Sequence, residues 1–228
     1  MRILVVNPNS TVSMTAKIGT AARRVARSGT EIVAVNPKDA PASIQGFHDI
    51  AMCLPALLGE LRGHGRCDAV VIACFDDTGL DAARCAVDVP VIGIGEAAFH
   101  AASFISCRFS VVTTLRRSVP SIEANLVRYG LAARCGRVRA SDIPVLALEE
   151  AGPDMMERLG REIEMAIDED QAEAIVLGCA GMADMAAGLA ERYGLPVVEG
   201  VSSAVLMAEA MAASGLKTSR IGGYAAAN

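Results

Sequence analysis

Two cysteines follow apolar segments at matching places in the chain. Cys74 ends the segment "DAVVIAC", and Cys179 ends the segment "EAIVLGC" about 105 positions further on. A short turn and then a helical pattern follow each of them. Two thiols held opposite each other could take a proton from one face of a small molecule and return one to the other face. The alternative is that each cysteine is a small apolar residue closing a buried strand.

The position before a helix also suggests how the two thiols ionise. A cysteine just ahead of a helix N-terminus faces unpaired backbone N–H groups and the positive end of the helix dipole. This position predicts a lowered thiol pKa for Cys74 and Cys179, with thiolate available near neutral pH. Gly178 and Gly181 flank the second cysteine and predict close approach of a ligand to the backbone.

The elements that must position these thiols alternate along the chain. Short β-rich apolar runs are separated by longer alanine-rich segments of helical period, which predicts an α/β protein with parallel sheets. Strands are predicted at 2–7, 31–36, 68–74, 89–95, 109–114, 143–148, 173–179 and 195–200. Helices are predicted at 11–27, 51–63, 78–86, 96–106, 119–129, 154–169, 183–193 and 202–214. Continuous Val, Ile and Leu runs indicate strands that are buried on both faces.

The two halves of the pattern repeat each other at an offset of about 105 residues. The matching pairs, at the ends of the first and third strands and the start of the fourth, are Asn7 and Thr113, Cys74 and Cys179, and Pro90 and Pro196. The repeat predicts two pseudo-symmetric lobes, each a four-stranded, mainly parallel sheet flanked by helices. We expect residues 1–97 to form the first lobe, completed by residues 202–228, and residues 98–201 to form the second.

Both cysteines then lie at the carboxyl ends of equivalent strands, where open α/β sheets bind ligands. We expect the active site in the cleft between the lobes, with the two sulfur atoms about 7–8 Å apart across a planar ring.

Polar, uncharged residues follow the first strand of each predicted lobe. Asn7 and Asn9 lie in "NPNS", and Thr113 and Thr114 occupy the matching place in the second half. Such groups on both walls suit a neutral polar ligand, such as an amide or imide ring. The alternative is that residues of "NPNST" only cap the helix that follows.

Other motifs predict structure rather than a further site. "GIGEAA" at 93–98 fits a dinucleotide fingerprint but lies late in its lobe, and it is interpreted as a glycine turn. Asp76 and Asp77 are expected to cap the helix that follows them. The chain has three histidines, none at helical ligand spacing, and seven cysteines without a CxxC pair, so we expect no metal and no cofactor.

Composition restricts the compartment and the partners. The net charge is about −5 and no basic stripe occurs, which argues against nucleic acid. No apolar span reaches 18 residues and the apolar start of the chain is too short for a signal peptide, so no membrane partner is expected. An odd number of cysteines fits a reducing compartment, and we expect a cytoplasmic protein.

Several segments together resemble the hydantoin racemase branch of the aspartate/glutamate racemase superfamily, over nearly the whole chain. They are "VVNPNS", "PASIQGF", "VIACFDDTGL", "VPVIGIGEAA", "RFSVVTTLRRSVP", "DIPVLALEE", "AIVLGCAGM" and "PVVEGVSSAV". The resemblance implies two α/β lobes and racemisation without a cofactor, with Cys74 and Cys179 as the catalytic bases. It also implies ligand contacts at Asn7, Ile44, Phe75, Thr113, Thr114, Ala180 and Gly181. We expect a homo-oligomer acting on a small molecule.

Departures from the family pattern bear on the substrate. Allantoin racemases are close relatives that tend to carry glycine where this chain has Asp76, which favours 5-substituted hydantoins. Thr78 stands where proline is usual, and "SIQGF" where "SIEGH" is common. The alternatives are an allantoin racemase, another racemase, isomerase or decarboxylase of the superfamily, and a two-lobed small-ligand-binding protein. A decarboxylase would need only one of the two thiols.

Overall fold

The strands form two four-stranded sheets in which every pair is parallel. The computed structural model describes residues 1–149 and 152–225. The strands are β1 (Arg2–Val6), β2 (Glu31–Val35), β3 (Ala69–Ile72), β4 (Val91–Gly93), β5 (Phe109–Thr113), β6 (Cys135–Ala140), β7 (Ala174–Gly178) and β8 (Val197–Glu199). The order is β2-β1-β3-β4 in one sheet and β6-β5-β7-β8 in the other. The same order in both sheets confirms the predicted pair of pseudo-symmetric α/β lobes.

The described residues form eight α-helices, of which seven connect successive strands and the eighth follows the last strand. They are α1 (Val12–Val25), α2 (Phe47–Gly63), α3 (Leu80–Ala86), α4 (Ile94–Ile105), α5 (Val119–Arg128), α6 (Pro153–Asp168), α7 (Ala186–Tyr193) and α8 (Gly200–Ala213). Each predicted helix is confirmed, with ends that differ by a few residues. None of the helices in the described residues is both long and apolar enough to cross a lipid bilayer.

One predicted strand is wrong. Residues 143–148 do not pair with a sheet, and Val145–Glu149 form a 3-10 helix instead. The edge strand is β6, whose sequence "CGRVRA" was too polar to be recognised. Its Arg139 is buried because the guanidinium pairs with Asp170, with 2.7 Å between Nε and Oδ2. Within segment 143–148, Ile143 and Leu148 are buried in the core of the second lobe although the segment forms no strand.

The strands are buried on both faces, as their continuous apolar runs predicted. In β1, Ile3 and Val5 point into a core cluster shared with α1, α4 and α8. Leu4 and Val6 point to the opposite side, where α2 and α3 cover the sheet. The second sheet is built in the same way, with α6 and α7 over its outer face. This alternation follows from the two-residue period of a strand.

Helices α1, α4 and α8 form an inner layer between the two sheets. Phe99 of α4 is fully buried and contacts Phe75 of the first lobe and Phe109 of the second, with ring centroids 5.3 and 6.1 Å away. Helix α8 packs in the same core, which includes strand residues of both lobes. The predicted lobe boundary at residues 97 and 98 falls within α4 and stays a prediction. Residues 226–228 of the predicted C-terminal completion lie outside the described residues.

Candidate active site

A small cavity lies at the carboxyl ends of the strands and is lined by both lobes. Seven of the predicted site residues line it: Ile44, Cys74, Phe75, Thr113, Thr114, Cys179 and Ala180. Its volume is about 40 Å³, which is room for about three water molecules. Three larger cavities, of about 420, 780 and 220 Å³, contain neither thiol. The smallest of these cavities is the candidate site because both thiols line it.

The two cysteines reach this cavity from equivalent strands. Cys74 follows β3 and Cys179 follows β7, and these strands occupy the same place in the two sheets. Each cysteine is half-buried, because one side of it faces the cavity. Their catalytic roles, and the expected 7–8 Å between the sulfur atoms, stay predictions.

Two other predicted contacts, Asn7 and Gly181, do not line the cavity. The amide Nδ2 of Asn7 donates to Asn9 Oδ1 at 2.9 Å and to Thr15 Oγ1 at 3.0 Å, so this side chain holds the turn after β1. Asn9 lines the cavity instead. The backbone N–H of Gly181 faces the Cys179 thiol, and a Cβ at Gly181 would lie 3.6 Å from Cys179 Sγ.

Four apolar residues that were not predicted as site residues also line the cavity. Met14 of α1 and Ile122 of α5 reach it from the first turns of equivalent helices. They carry no signal beyond the ordinary apolar period of a helix. Val145 lies in the segment that was wrongly predicted as a strand, and Ala73 lies directly before Cys74. Together with Ile44, the side chains of Met14, Ile122 and Val145 give the cavity an apolar wall.

Ile44 approaches the cavity from the long segment between β2 and α2. The carbonyl of Pro41 accepts from Ser10 N at 3.0 Å, and the Ala42 carbonyl accepts from Thr11 Oγ1 at 2.6 Å. Gln45 Oε1 accepts from Arg117 Nη2 of the second lobe at 2.8 Å. The Thr11 hydroxyl therefore holds this segment rather than capping α1, whose N-cap has no side-chain hydrogen bond.

The pKa of each thiol is raised, so the predicted lowering is wrong. Burial, with the charge of Asp76 next, raises the pKa of Cys74 well above its ordinary value. Burial raises the pKa of Cys179 to about 11, although the Gly181 N–H and the Lys17 ammonium act in the opposite direction. The α-helices that were expected to stabilise the thiolates begin several residues later, at Leu80 and Ala186. The loss of hydration around each thiol therefore raises its pKa by more than a helix dipole lowers it.

The turn after Cys74 also differs from the prediction that its two aspartates cap the next helix. Asp77 has a positive φ of 53° and its N–H donates to the Cys74 carbonyl at 3.0 Å. Its carboxylate accepts from the N–H groups of Gly95 and Glu96, at 2.9 and 2.8 Å, and so caps α4. The Tyr129 hydroxyl donates to the same carboxylate at 2.7 Å. Asp77 thus joins three segments of the inner core, while the neighbouring aspartate lines the cavity.

The side chain of Asp77 packs against the "GIGEAA" segment, and this explains why the segment has glycine at positions 93 and 95. A Cβ at Gly93 would lie 2.1 Å from Asp77 Oδ1, and one at Gly95 would lie 2.2 Å from the Phe75 carbonyl. Both distances are too short for any side chain. These glycines leave room for the turn that carries Cys74.

The comparison with known families decides where the chain belongs. The sequence model described as "Asp/Glu/Hydantoin racemase" matches residues 3–208. The chain belongs to this family. Membership confirms the predicted enzyme class, a racemase. Within the described residues, no three His, Cys, Asp or Glu side chains are grouped so that they could hold a metal ion.

Individual relatives of this racemase carry two different substrate names. A hydantoin racemase of Rhizobium meliloti is 53% identical, over 99% of this chain and 94% of the relative. A hydantoin racemase of Pseudomonas sp. (strain NS671) is 43% identical, over 98% of this chain and 91% of the relative. The solved structure of an allantoin racemase from Klebsiella pneumoniae is 44% identical, with a TM-score of 0.96 over 100% of this chain and 94% of its own. Similar identities to the last two mean that overall likeness alone does not select the substrate.

The carboxyl group of Asp77 makes the stability of the racemase depend on pH. Burial raises its pKa to about 7, whereas an unfolded chain has an aspartate pKa of about 4. Between these values the folded protein binds more protons than the unfolded chain, so stability falls as the pH rises through the range. We expect the loss of unfolding free energy between about pH 5 and pH 8 to be smaller in Asp77→Asn than in wild type. Urea unfolding of both proteins at the two pH values measures this difference, and equal losses in both would contradict it.

Proposed function

We propose that this racemase interconverts the enantiomers of 5-substituted hydantoins. One cysteine removes the hydrogen from C5 and the other returns a proton to the opposite face. The observation that carries the proposal is that Cys74 and Cys179, from equivalent strands of two lobes, line one cavity.

The hydrogen on C5 suits this chemistry because it lies beside a carbonyl group. Its removal gives an enolate whose negative charge is spread onto oxygen, and donors placed near that oxygen stabilise it. A thiolate whose conjugate thiol has a pKa of about 11, as for Cys179, is a stronger base than an ordinary one. The raised pKa therefore makes thiolate scarce but better matched to a weak carbon acid. One thiolate and one thiol must be present together for each turnover.

The apolar wall favours a hydrocarbon-like substituent on C5. Met14, Ile44, Ile122 and Val145 contribute it from both lobes. Allantoin carries a ureido group at C5, and each of its polar groups buried without a partner costs about 1–3 kcal/mol. An aliphatic or arylalkyl substituent gains free energy against the same wall. This wall, together with the 53% identity to the Rhizobium meliloti hydantoin racemase, supports hydantoins over allantoin.

Allantoin racemase activity is the second candidate. The 44% identity and the TM-score of 0.96 to the Klebsiella pneumoniae allantoin racemase favour it. Asp76 in the cavity could accept hydrogen bonds from a ureido group, in the manner of a carboxylate that receives N–H donors.

A panel of optically pure substrates separates these candidates. The protein would be incubated with 5-isobutylhydantoin, 5-benzylhydantoin, allantoin and aspartate, each as single enantiomers, and optical rotation would be followed against an enzyme-free blank. We expect kcat/KM for the two hydantoins to exceed that for allantoin by about 100-fold, which corresponds to about 2.7 kcal/mol. Aspartate should not racemise. Faster turnover of allantoin would establish the second candidate, and no turnover of any compound would support a ligand-binding protein or a decarboxylase.

A further inference from the structure

The two thiols lie in different electrostatic surroundings. The first difference is the carboxylate of Asp76, which lines the cavity with Cys74. The backbone turns tightly after Cys74, since its carbonyl accepts the N–H three residues on, at 3.0 Å. This turn places the Asp76 carboxylate in the same cavity as the Cys74 thiol, and its charge adds to the effect of burial in raising the pKa of that thiol. Oδ1 of Asp76 also accepts from the backbone N–H of Thr78 at 3.2 Å and from its hydroxyl.

Asp76 is held in this place by the second lobe as well. The side-chain amide of Asn125, on α5, donates to the Asp76 carbonyl at 2.7 Å. The backbone of Asp76 is therefore held by α5 of the second lobe, and its carboxylate is held by the turn that contains Thr78. A negative charge in this position opposes a second negative charge on Cys74, because the surroundings are poor in water.

A backbone donor and the charge of a lysine both act on Cys179. The N–H of Gly181 faces its sulfur, and the ammonium of Lys17 favours its ionised form. Lys17 reaches from α1 to the second lobe, where Nζ lies 3.1 Å from Asp184 Oδ1 and 3.5 Å from the Leu148 carbonyl. Asp184 offsets part of the charge of Lys17, and Asp76 disfavours the Cys179 thiolate too, but not through a hydrogen bond to it. Of the two thiols, Cys179 is thus the better placed to ionise.

We propose that Asp76 is a positioning residue that keeps the proton on Cys74 in the unliganded protein, so that Cys179 is the thiolate that begins a catalytic cycle. This proposal rests on the proposed two-thiol racemisation. Cys179 takes the C5 proton, Cys74 donates its own proton to the other face, and solvent then restores the first charge state. No net proton is gained or lost in the cycle.

Such an asymmetry has a kinetic signature. The equilibrium constant of a racemisation is one, so kcat/KM must be equal for the two enantiomers. In the ionised fraction of the free enzyme the charge lies on Cys179, and this form binds the enantiomer whose C5 hydrogen faces Cys179. The values of kcat and KM should therefore differ between the enantiomers by one common factor. In Asp76→Asn we expect this factor to move towards one, because the charge that favours one form is gone.

Alkylation with iodoacetamide tests the resting charge state without substrate. The thiolate, not the thiol, displaces iodide, so the rate at each cysteine follows its thiolate population. We expect Cys179 to react faster than Cys74 in wild type, as followed by peptide mass mapping at a pH near 8. Asp76→Asn should raise the Cys74 rate by about tenfold or more, because the substitution removes a like charge from the cavity that holds the Cys74 thiol. The Cys179 rate should change by less than about threefold, given the weaker influence of Asp76 there.

The matched control is Asp77→Asn. This substitution also removes one carboxylate, but from the neighbouring residue, whose side chain caps α4. It should leave the ratio of the two alkylation rates near the wild-type value, and thermal unfolding would confirm that both variants are folded. An unchanged or slower Cys74 rate in Asp76→Asn would overturn the proposal, and so would faster alkylation of Cys74 than of Cys179 in wild type. The alkylation rates are measured without substrate. They can therefore contradict the role of Asp76 while the substrate panel supports hydantoin racemisation, and the reverse outcome is also distinguishable.

Discussion

Replacing either Cys74 or Cys179 by serine is expected to lower the rate of racemisation by about a thousandfold or more. A proton must leave one face of C5 and arrive at the other, so each face needs its own acid–base group. Serine fills nearly the same space as cysteine but is far too weak an acid to ionise near neutral pH. Both variants should therefore keep the fold and lose the reaction, as measured by optical rotation of a single hydantoin enantiomer.

Hydrogen exchange separates the two thiols even where racemisation is lost. Each serine variant retains one thiol, which can still remove the C5 hydrogen of the enantiomer that presents it to that side. In D₂O we expect each variant to exchange the C5 hydrogen of one enantiomer only, with opposite choices for the two variants. Proton NMR of each enantiomer in turn would follow the loss of the C5 signal.

Cys107→Ser is the matched control for these variants. Cys107 is an exposed cysteine outside the cavity, and the same substitution there should leave racemisation within about twofold of wild type, since exposed substitutions have small effects. If Cys74→Ser or Cys179→Ser racemised hydantoins at close to the wild-type rate, the two-thiol mechanism would be excluded. The cysteine concerned would then be part of the core packing.

The second large effect is expected from a single methyl group at Gly95. A Cβ there would lie 2.2 Å from the Phe75 carbonyl oxygen and 2.9 Å from Asp77 Oδ2. The nearer atom belongs to the backbone of the turn after Cys74, so it can move only if the turn moves. We expect Gly95→Ala to lower the free energy of unfolding by about 3 kcal/mol, at the upper end for overpacking. The variant should also lose most of its racemase activity, because the displaced turn carries Cys74 and Asp76.

The same substitution at Gly59 is the control. Gly59 is an exposed residue inside α2, and a Cβ there would have no heavy atom within 4 Å. Alanine is the better helix former, so Gly59→Ala should raise the free energy of unfolding by about 0.5–1 kcal/mol. Guanidinium unfolding of the two variants should therefore show shifts of opposite sign. If Gly95→Ala left the free energy of unfolding unchanged, the turn after Cys74 would have moved without destabilising the protein, and the prediction would be wrong.

The amino-acid sequence by itself determined the parts of this protein that depend on local patterns. The apolar runs and helical periods predicted eight helices and seven of the eight strands, because burial on both faces leaves a continuous apolar signal. The near-constant offset between the halves predicted two lobes with the same strand order. It also indicated that Cys74 and Cys179 end equivalent strands, and the structure brings both to one cavity.

Only the tertiary structure decided what depends on contacts between distant segments. Edge strand β6 was missed because the burial of Arg139 depends on Asp170, which is brought beside it only by folding. Asp77 caps α4 rather than the next helix, since the turn places its carboxylate against Gly95 and Glu96. The raised thiol pKa values follow from the loss of water around a cavity built by two lobes. Hydration and charge at one atom are set by everything packed around it, and no single segment of sequence contains that information.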